Sequence, residues 1–269
     1  MIKMIFSDMD GTLLDSSGAM PPDFAEVMAM LKERNILFVP ASGRQYTAIL
    51  KQMPQYENDF AFIAENGAVA VYKGETLLAS PIEKDAIRHL LERTVKDETV
   101  YPVLCGEKRA FVESKWEPHL DELTKFLTEH QIIDDIFVAL EQEKVIKIAF
   151  GDCLYGQAEE RLLPMIENAA DEGLKVMLSS NYWVDVLNEG TNKGTAIKGL
   201  QQKLGIKPEE CIAFGDYVND IEMLQSVGYG YAMANAHPEV IKVAKYFAPA
   251  NNKNGVMQTI RELIKTGQI

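Results

Sequence analysis

Asp8 and Asp10 flank a single methionine directly after an apolar run, in the segment Asp8-Met9-Asp10-Gly11-Thr12. Alternate residues of an extended chain share one side, so both carboxylates leave the run together, and Gly11 permits a sharp turn away from it. Two carboxylates so placed repel, and a cation between them is a reasonable resolution. A solvated acidic loop with an Asp cap carries the same letters. The segment Ala41-Ser42-Gly43-Arg44 puts a hydroxyl and exposed amides between an apolar run and a helix, where a phosphate oxygen can be bound. A Ser helix cap accounts for it equally well. Lys193, in Thr191-Asn192-Lys193-Gly194-Thr195, opens a helix whose positive end disfavours a cation unless an anion lies nearby. That mismatch favours a functional lysine, although an exposed surface lysine is a common alternative. Finally, Gly215-Asp216-Tyr217-Val218-Asn219-Asp220 sets two carboxylates at a loop-to-helix junction, where hard oxygen ligands suit a hydrated Mg²⁺ ion. Asp220 alone would serve as a first-turn acid. The four segments together are far more specific than any one of them.

The elements around these segments alternate. Ile2 to Ser7 reads as a buried strand, and Pro22 to Arg34 as a helix with Phe24, Val27, Met28 and Leu31 on its apolar face. Strand Ile36 to Val39, helix Gln45 to Met53 and strand Phe60 to Ala64 follow, and Asn66-Gly67 signals a turn into a hairpin-like stretch, Ala68 to Ser80. Beyond Pro81 the pattern changes. Helices are expected over Glu83 to Lys96, Pro118 to His130 and Gln157 to Glu172, mixed with hairpin-connected strands such as Val145 to Phe150 and Trp183 to Leu187. From Lys193 the alternation returns: helix Gly194 to Leu204, strand Cys211 to Phe214, helix Val218 to Val227, strand Tyr229 to Met233 and a last helix, Gly255 to Lys265. The expectation is one doubly wound α/β domain, residues 1–82 and 187–269, interrupted by an α+β unit over 83–186. The polar segments then fall outside the carboxyl ends of strands or just before helices, where open parallel sheets bind ligands.

The formal charge of −13, from 27 basic and 40 acidic residues in 269, argues against a nucleic-acid backbone as partner. A small phosphate is a different matter, because one lysine and a metal ion suffice to neutralise it. Cys105, Cys153 and Cys211 are odd in number and far apart, which fits free thiols in a reducing compartment. The N-terminal MIKMIF is too short for a signal peptide's apolar region, and no apolar run is long enough to span a bilayer, so a cytoplasmic protein without membrane association is expected. His89, His119, His130 and His237 lack the spacing of a zinc site, and neither a P-loop nor a GxGxxG segment occurs.

The ordered set DMDGT, ASGR, a lysine before a helix and GDYVND resembles the haloacid dehalogenase-like (HAD) hydrolase superfamily, specifically its Cof-type (subfamily IIB) sugar-phosphatase-like members. The resemblance extends over essentially the whole chain, including Ala64 to Ala68, Met223-Leu224 and Met233-Ala234-Asn235-Ala236. It implies a mainly parallel Rossmann-like core sheet with an inserted α+β cap of the C2 type that governs substrate specificity. It also implies an Mg²⁺-dependent phosphatase acting on a small phosphorylated metabolite, sugar phosphates first and cofactor phosphates next, by a chain that is a monomer or homodimer. Asp8 matches the family nucleophile and Asp10 the acid/base. An acid at position 10 favours phosphatase or phosphomutase over the superfamily's ATPases and dehalogenases. Asp8, the backbone carbonyl of Asp10 and Asp216 match the metal ligands, with Asp220 acting mostly from behind them. Ser42, Gly43 and Asn219 match phosphate contacts, Lys193 neutralises both nucleophile and phosphate, and Arg44 would contact the substrate. Tyr217 departs from the pattern, since members often carry a small residue there. The alternatives are a phosphomutase and a non-catalytic phosphometabolite-binding protein.

Overall fold

The structure, a computed structural model, describes residues 1–119, 128–152 and 155–269. The chain opens on β1 (Met4–Asp8), every residue of which is buried. Helix α1 (Phe24–Glu33) buries Phe24, Val27, Met28 and Leu31, the four residues whose spacing marked its apolar face. It ends at Arg34 and at Asn35, which takes the left-handed conformation (φ 55°) that Asn tolerates. Then come β2 (Leu37–Ala41), α2 (Tyr46–Gln52), β3 (Ala61–Ala64), β4 (Val69–Tyr72) and β5 (Glu75–Ala79).

The chain next builds α3 (Lys84–Thr94), β6 (Val100–Gly106), β7 (Ala110–Glu113), β8 (His130–Ile133), α4 (Ala139–Gln142), β9 (Val145–Asp152), α5 (Ala158–Arg161), β10 (Leu174–Ser180) and β11 (Trp183–Asn188). It closes with α6 (Lys193–Leu204), β12 (Cys211–Gly215), α7 (Ile221–Gln225), β13 (Tyr229–Met233), α8 (Pro238–Val243), β14 (Tyr246–Ala248) and α9 (Gly255–Lys265). Two compact units result: Met1–Leu78 with Asn192–Ile269, and Ala79–Thr191. The junctions fall at 78/79 and 191/192, where the sequence suggested 82/83 and 186/187.

The first unit is a doubly wound α/β fold on an eight-stranded sheet ordered β14-β13-β12-β1-β2-β3-β4-β5. The run from β14 to β3 is parallel, and β4 pairs antiparallel with β3. Both faces of β1 are apolar, as a central parallel strand requires. Met4 and Phe6 join a core with Val39 and with Ala196, Ile197 and Leu200 of α6. On the other face Phe38, the register partner of Ile5, meets Phe24 edge-on at 5.7 Å, and Phe60 stacks on Tyr56 at 4.4 Å.

The second unit is an α+β fold on a six-stranded sheet, β10-β11-β9-β6-β7-β8, antiparallel except for the β7–β8 pair. One face packs on α3 through Ile87, Leu90, Leu104, Phe111, Ile148 and Phe150. On the other face Trp183 meets Tyr101 edge-on at 4.9 Å, so this aromatic near the end of the unit is a packing residue.

Two expected helices come out differently. Gln157 to Glu172 is not one helix but α5 followed by two 3₁₀ segments, Leu163–Met165 and Glu167–Glu172, because Pro164 cannot donate into a continuing α-helix. Leu162, Ile166 and Ala169 still face inward, which is why the apolar period misled. Val218 to Val227 begins with a 3₁₀ turn, Val218–Asp220, before α7. Most of Pro118 to His130, like Cys153, lies outside the described residues. Strand β8 was not foreseen. Cys105 and Cys211 are buried, and burial pushes the Cys211 thiol up to about 11. Among the described residues no helix is long and apolar enough to cross a membrane.

Candidate active site

Register brings the polar segments to one end of the parallel sheet. Asp8 pairs with Ala41, so Ser42 is the next residue on the adjoining strand, and Ser7 pairs with Phe214, so Gly215 and Asp216 follow on the other side. Ala41 in turn pairs with Ile63, which sets Glu65 to Gly67 at the same end of β3. Each carboxyl end turns away sharply. Gly11 has φ +83°, and a Cβ on it would lie 2.4 Å from Asp216 Oδ2, so no larger residue fits between the two acidic loops. A Cβ on Gly215 would lie 2.5 Å from that of Asp220.

Asp8, Asp216 and Asp220 form one cluster, each offering an oxygen, with these atoms all within 4.8 Å of one another. Lys193, fully buried, enters it from the first turn of α6. Its Nζ donates to Asp8 Oδ1 and, at 2.7 Å, to Asp220 Oδ1. These are the anions that a lysine at a helix start demanded. The helix start itself is fixed by a capping box, in which Asn192 Oδ1 accepts from the Thr195 amide at 2.8 Å and Thr195 Oγ1 accepts from the Asn192 amide at 3.1 Å. Asp220 Oδ2 accepts from the amides of Asp216 (2.9 Å) and Tyr217 (3.1 Å), so both of its oxygens are engaged by the protein.

One ammonium among three carboxylates leaves excess negative charge in a desolvated place. Burial, and then the Asp220 charge, hold the Asp8 carboxyl well above its ordinary range, against the pull of Lys193. Burial pushes Asp216 up to about 6, although Thr12 Oγ1 donates to its Oδ1 at 2.6 Å. Burial works against the Lys193 ammonium, but Asp220 and Asp8 outweigh it and its pKa is raised.

Asp10 does not join the cluster through its side chain. Its half-exposed carboxylate is gripped by Arg44, with Nε donating to Oδ2 at 2.9 Å and Nη2 to Oδ1. Arg44, expected to face substrate, is thus committed to Asp10 by a two-pronged ion pair. Ser42 is buried, and its Oγ accepts from the Arg44 amide at 3.1 Å. Asn219 Nδ2 donates to Asn66 Oδ1 at 3.0 Å. Tyr217 points largely outward, its ring edge-on to His237 at 5.7 Å.

The residues left without a role by sequence reasoning are Thr12, Asn66, Asn235 and Asn251. Asn235 Nδ2 donates to the Gly11 carbonyl at 2.8 Å, its Oδ1 accepts from the Asn251 amide at 3.0 Å, and Asn251 Nδ2 donates to the Leu14 carbonyl at 2.9 Å. The loop carrying Asp10 is therefore tied to the far end of the chain. The available signal was the run Met233-Ala234-Asn235-Ala236, in which a polar amide interrupts small apolar residues at a strand end.

A doubly wound sheet with an inserted α+β unit, and a lysine-bridged carboxylate cluster at the ends of β1 and β12, define a class, and residues 5–260 match its description, haloacid dehalogenase-like hydrolase. The chain belongs to that family, as one of its Cof-type phosphatases. It is 32% identical over 269 residues to the 5-amino-6-(5-phospho-D-ribitylamino)uracil phosphatase YbjI of Escherichia coli, covering 98% of this chain and 97% of the relative. An HMP-PP phosphatase of Serratia proteamaculans is 30% identical, over 89% of this chain and 86% of its own. A crystal structure from Eubacterium rectale superposes with a TM-score of 0.87 at 29% identity, covering 97% and 99% of the two chains.

Proposed function

We propose that the chain is an Mg²⁺-dependent phosphatase of small phosphorylated metabolites, working through a phosphorylated Asp8. Support comes above all from the meeting of Asp8, Lys193, Asp216 and Asp220 at one end of the sheet. Asp8 attacks phosphorus in line; a new carboxylate–phosphorus bond forms as the ester P–O bond breaks. Asp10 gives its proton to the departing alkoxide. Asp10 then takes a proton from the water that attacks the aspartyl-phosphate, which releases inorganic phosphate and restores both carboxyls. Lys193 holds charge on the nucleophile and on the phosphate oxygens. Ser42 and the Gly43 amide receive a phosphate oxygen, and Asn219 donates to another. Both Asp10 oxygens accept from Arg44, so this pair must open for Asp10 to carry the proton it gives.

The donor set suits a hard divalent cation. Asp8, the Asp10 backbone carbonyl and Asp216 would hold Mg²⁺, and Asp220, saturated by protein donors, would orient them from behind. Bound there, the cation supplies charge neutralisation between carboxylate and phosphate. The raised pKa of Asp216 gives this a sign. Its folded value near 6 exceeds the ordinary carboxylate value, so the ionised group costs stability above about pH 6, and the cost vanishes at low pH. Adding Mg²⁺ to stripped protein at pH 7.5 is therefore expected to raise the thermal midpoint, with the increment shrinking as pH falls through about 6. An increment independent of pH would count against Asp216 as a ligand.

The names of two relatives put 5-amino-6-(5-phospho-D-ribitylamino)uracil and HMP-PP first in the panel, with sugar phosphates beside them. Phosphate release from that panel should require Mg²⁺ and stop in EDTA. A sugar phosphate isomerised without phosphate release would replace the hydrolase reading by a mutase.

A further inference from the structure

Three consecutive residues at the end of β3 have positive φ: Glu65 (49°), Asn66 (54°) and Gly67 (97°). Two of them are not glycine, a conformation that persists only where its surroundings hold it. Here the surroundings are the phosphate-handling segments. The Glu65 amide donates to the Arg44 carbonyl and the Asn66 amide to the Ser42 carbonyl, each at 3.0 Å. A Cβ on Gly43 would stand 3.1 Å from the Asn66 amide group, and one on Gly67 would stand 2.2 Å from the Asn192 carbonyl oxygen, next to Lys193. The Asn66 side chain completes the arrangement by accepting from Asn219 Nδ2.

The sheet order makes this last bond unusual. Strand β3 is separated from β12 by β2 and β1. Three strand spacings amount to about 14 Å, so the Asn66–Asn219 bond spans the ends of the strands that carry Asp8 and Ser42. A bond to Asn66 fixes the rotation of the Asn219 amide and leaves its second N–H to point elsewhere.

We propose that Asn66 is a positioning residue that aims the Asn219 amide at a phosphate oxygen, with its strained turn as the spacer between the Ser42 loop and Lys193. The inference rests on the phosphatase reading above. Asn66→Gly is the informative variant, because glycine accepts the left-handed backbone and removes only the amide. With p-nitrophenyl phosphate, kcat/KM is expected to fall about tenfold, mainly through KM, with a matching rise in the inhibition constant of inorganic phosphate and an unchanged thermal midpoint. Asn219→Ala should give a similar loss, and the double variant no more than either alone. Losses that multiply in the double variant would overturn the proposal. So would parent kinetics in Asn66→Gly, or a lowered thermal midpoint with unaltered phosphate inhibition. Asp8→Asn, assayed alongside, separates the two readings: turnover surviving there sinks the chemistry, while the phosphate inhibition constants still decide the role of Asn66.

Discussion

Asp8→Asn is expected to lower phosphate release by about 10⁴-fold or more, because the amide cannot attack phosphorus and no neighbouring group takes its place. Asp220 is the other carboxylate bonded to Lys193, and both of its oxygens accept protein hydrogen bonds. The same substitution should leave the metal-free protein as stable at pH 7 as the parent, or more so. Asp8 is a buried carboxyl whose ionised form is disfavoured by desolvation and by the Asp220 and Asp216 charges, and the neutral isostere removes that cost while Lys193 keeps Asp220. Unfolding curves and phosphate assays on the same preparation read both effects. Retained turnover with normal unfolding would remove Asp8 from the mechanism.

The second large effect is expected from Lys193→Met, with kcat/KM falling by about 10²–10³, the usual scale for losing one preorganised charge-stabilising donor. Here stability should move the other way. Methionine fills the volume but leaves Asp8, Asp216 and Asp220 without their buried cation. Breaking such a pair costs about 3 kcal/mol, or about 10 °C in thermal midpoint for a chain of this size. The deficit should shrink as pH is lowered, since protonating the abandoned carboxylates removes their repulsion. An unchanged specificity constant would contradict the assigned role.

How far these residues were legible in the sequence depends on what fixes them. Asp8, Asp216 and Ser42 could be grouped because each follows an apolar run, and parallel strands deliver their carboxyl ends to one edge. Lys193 announced itself by standing at the wrong end of a helix dipole. The Arg44 pairing with Asp10 was not legible, because it depends on where two loops from different strands turn, and nothing local to either loop encodes it. Asn66-Gly67 read as a hairpin turn, which is true of β3 and β4, but the letters conceal that Glu65 is left-handed as well. The apolar period over 157–172 survived in the packing while the backbone changed its winding at Pro164. Pattern reports which side faces inward more faithfully than it reports the hydrogen bonding that gets it there.

The position of β1 has a consequence for how the protein comes into being. Its two neighbours are Leu37–Ala41 and Cys211–Gly215, one made almost at once and the other after the whole inserted unit. During synthesis the strand ending in Asp8 therefore waits with an open edge, while β6 to β11 can complete their own sheet without it. Closing so distant a pairing is a slow step, because the chain must first surrender the entropy of a long loop. The carboxylate cluster can close only once Lys193, 185 residues beyond Asp8, has been made. A nascent chain stalled just after Thr191 would carry a complete, foldable insert together with an unfinished and adhesive sheet.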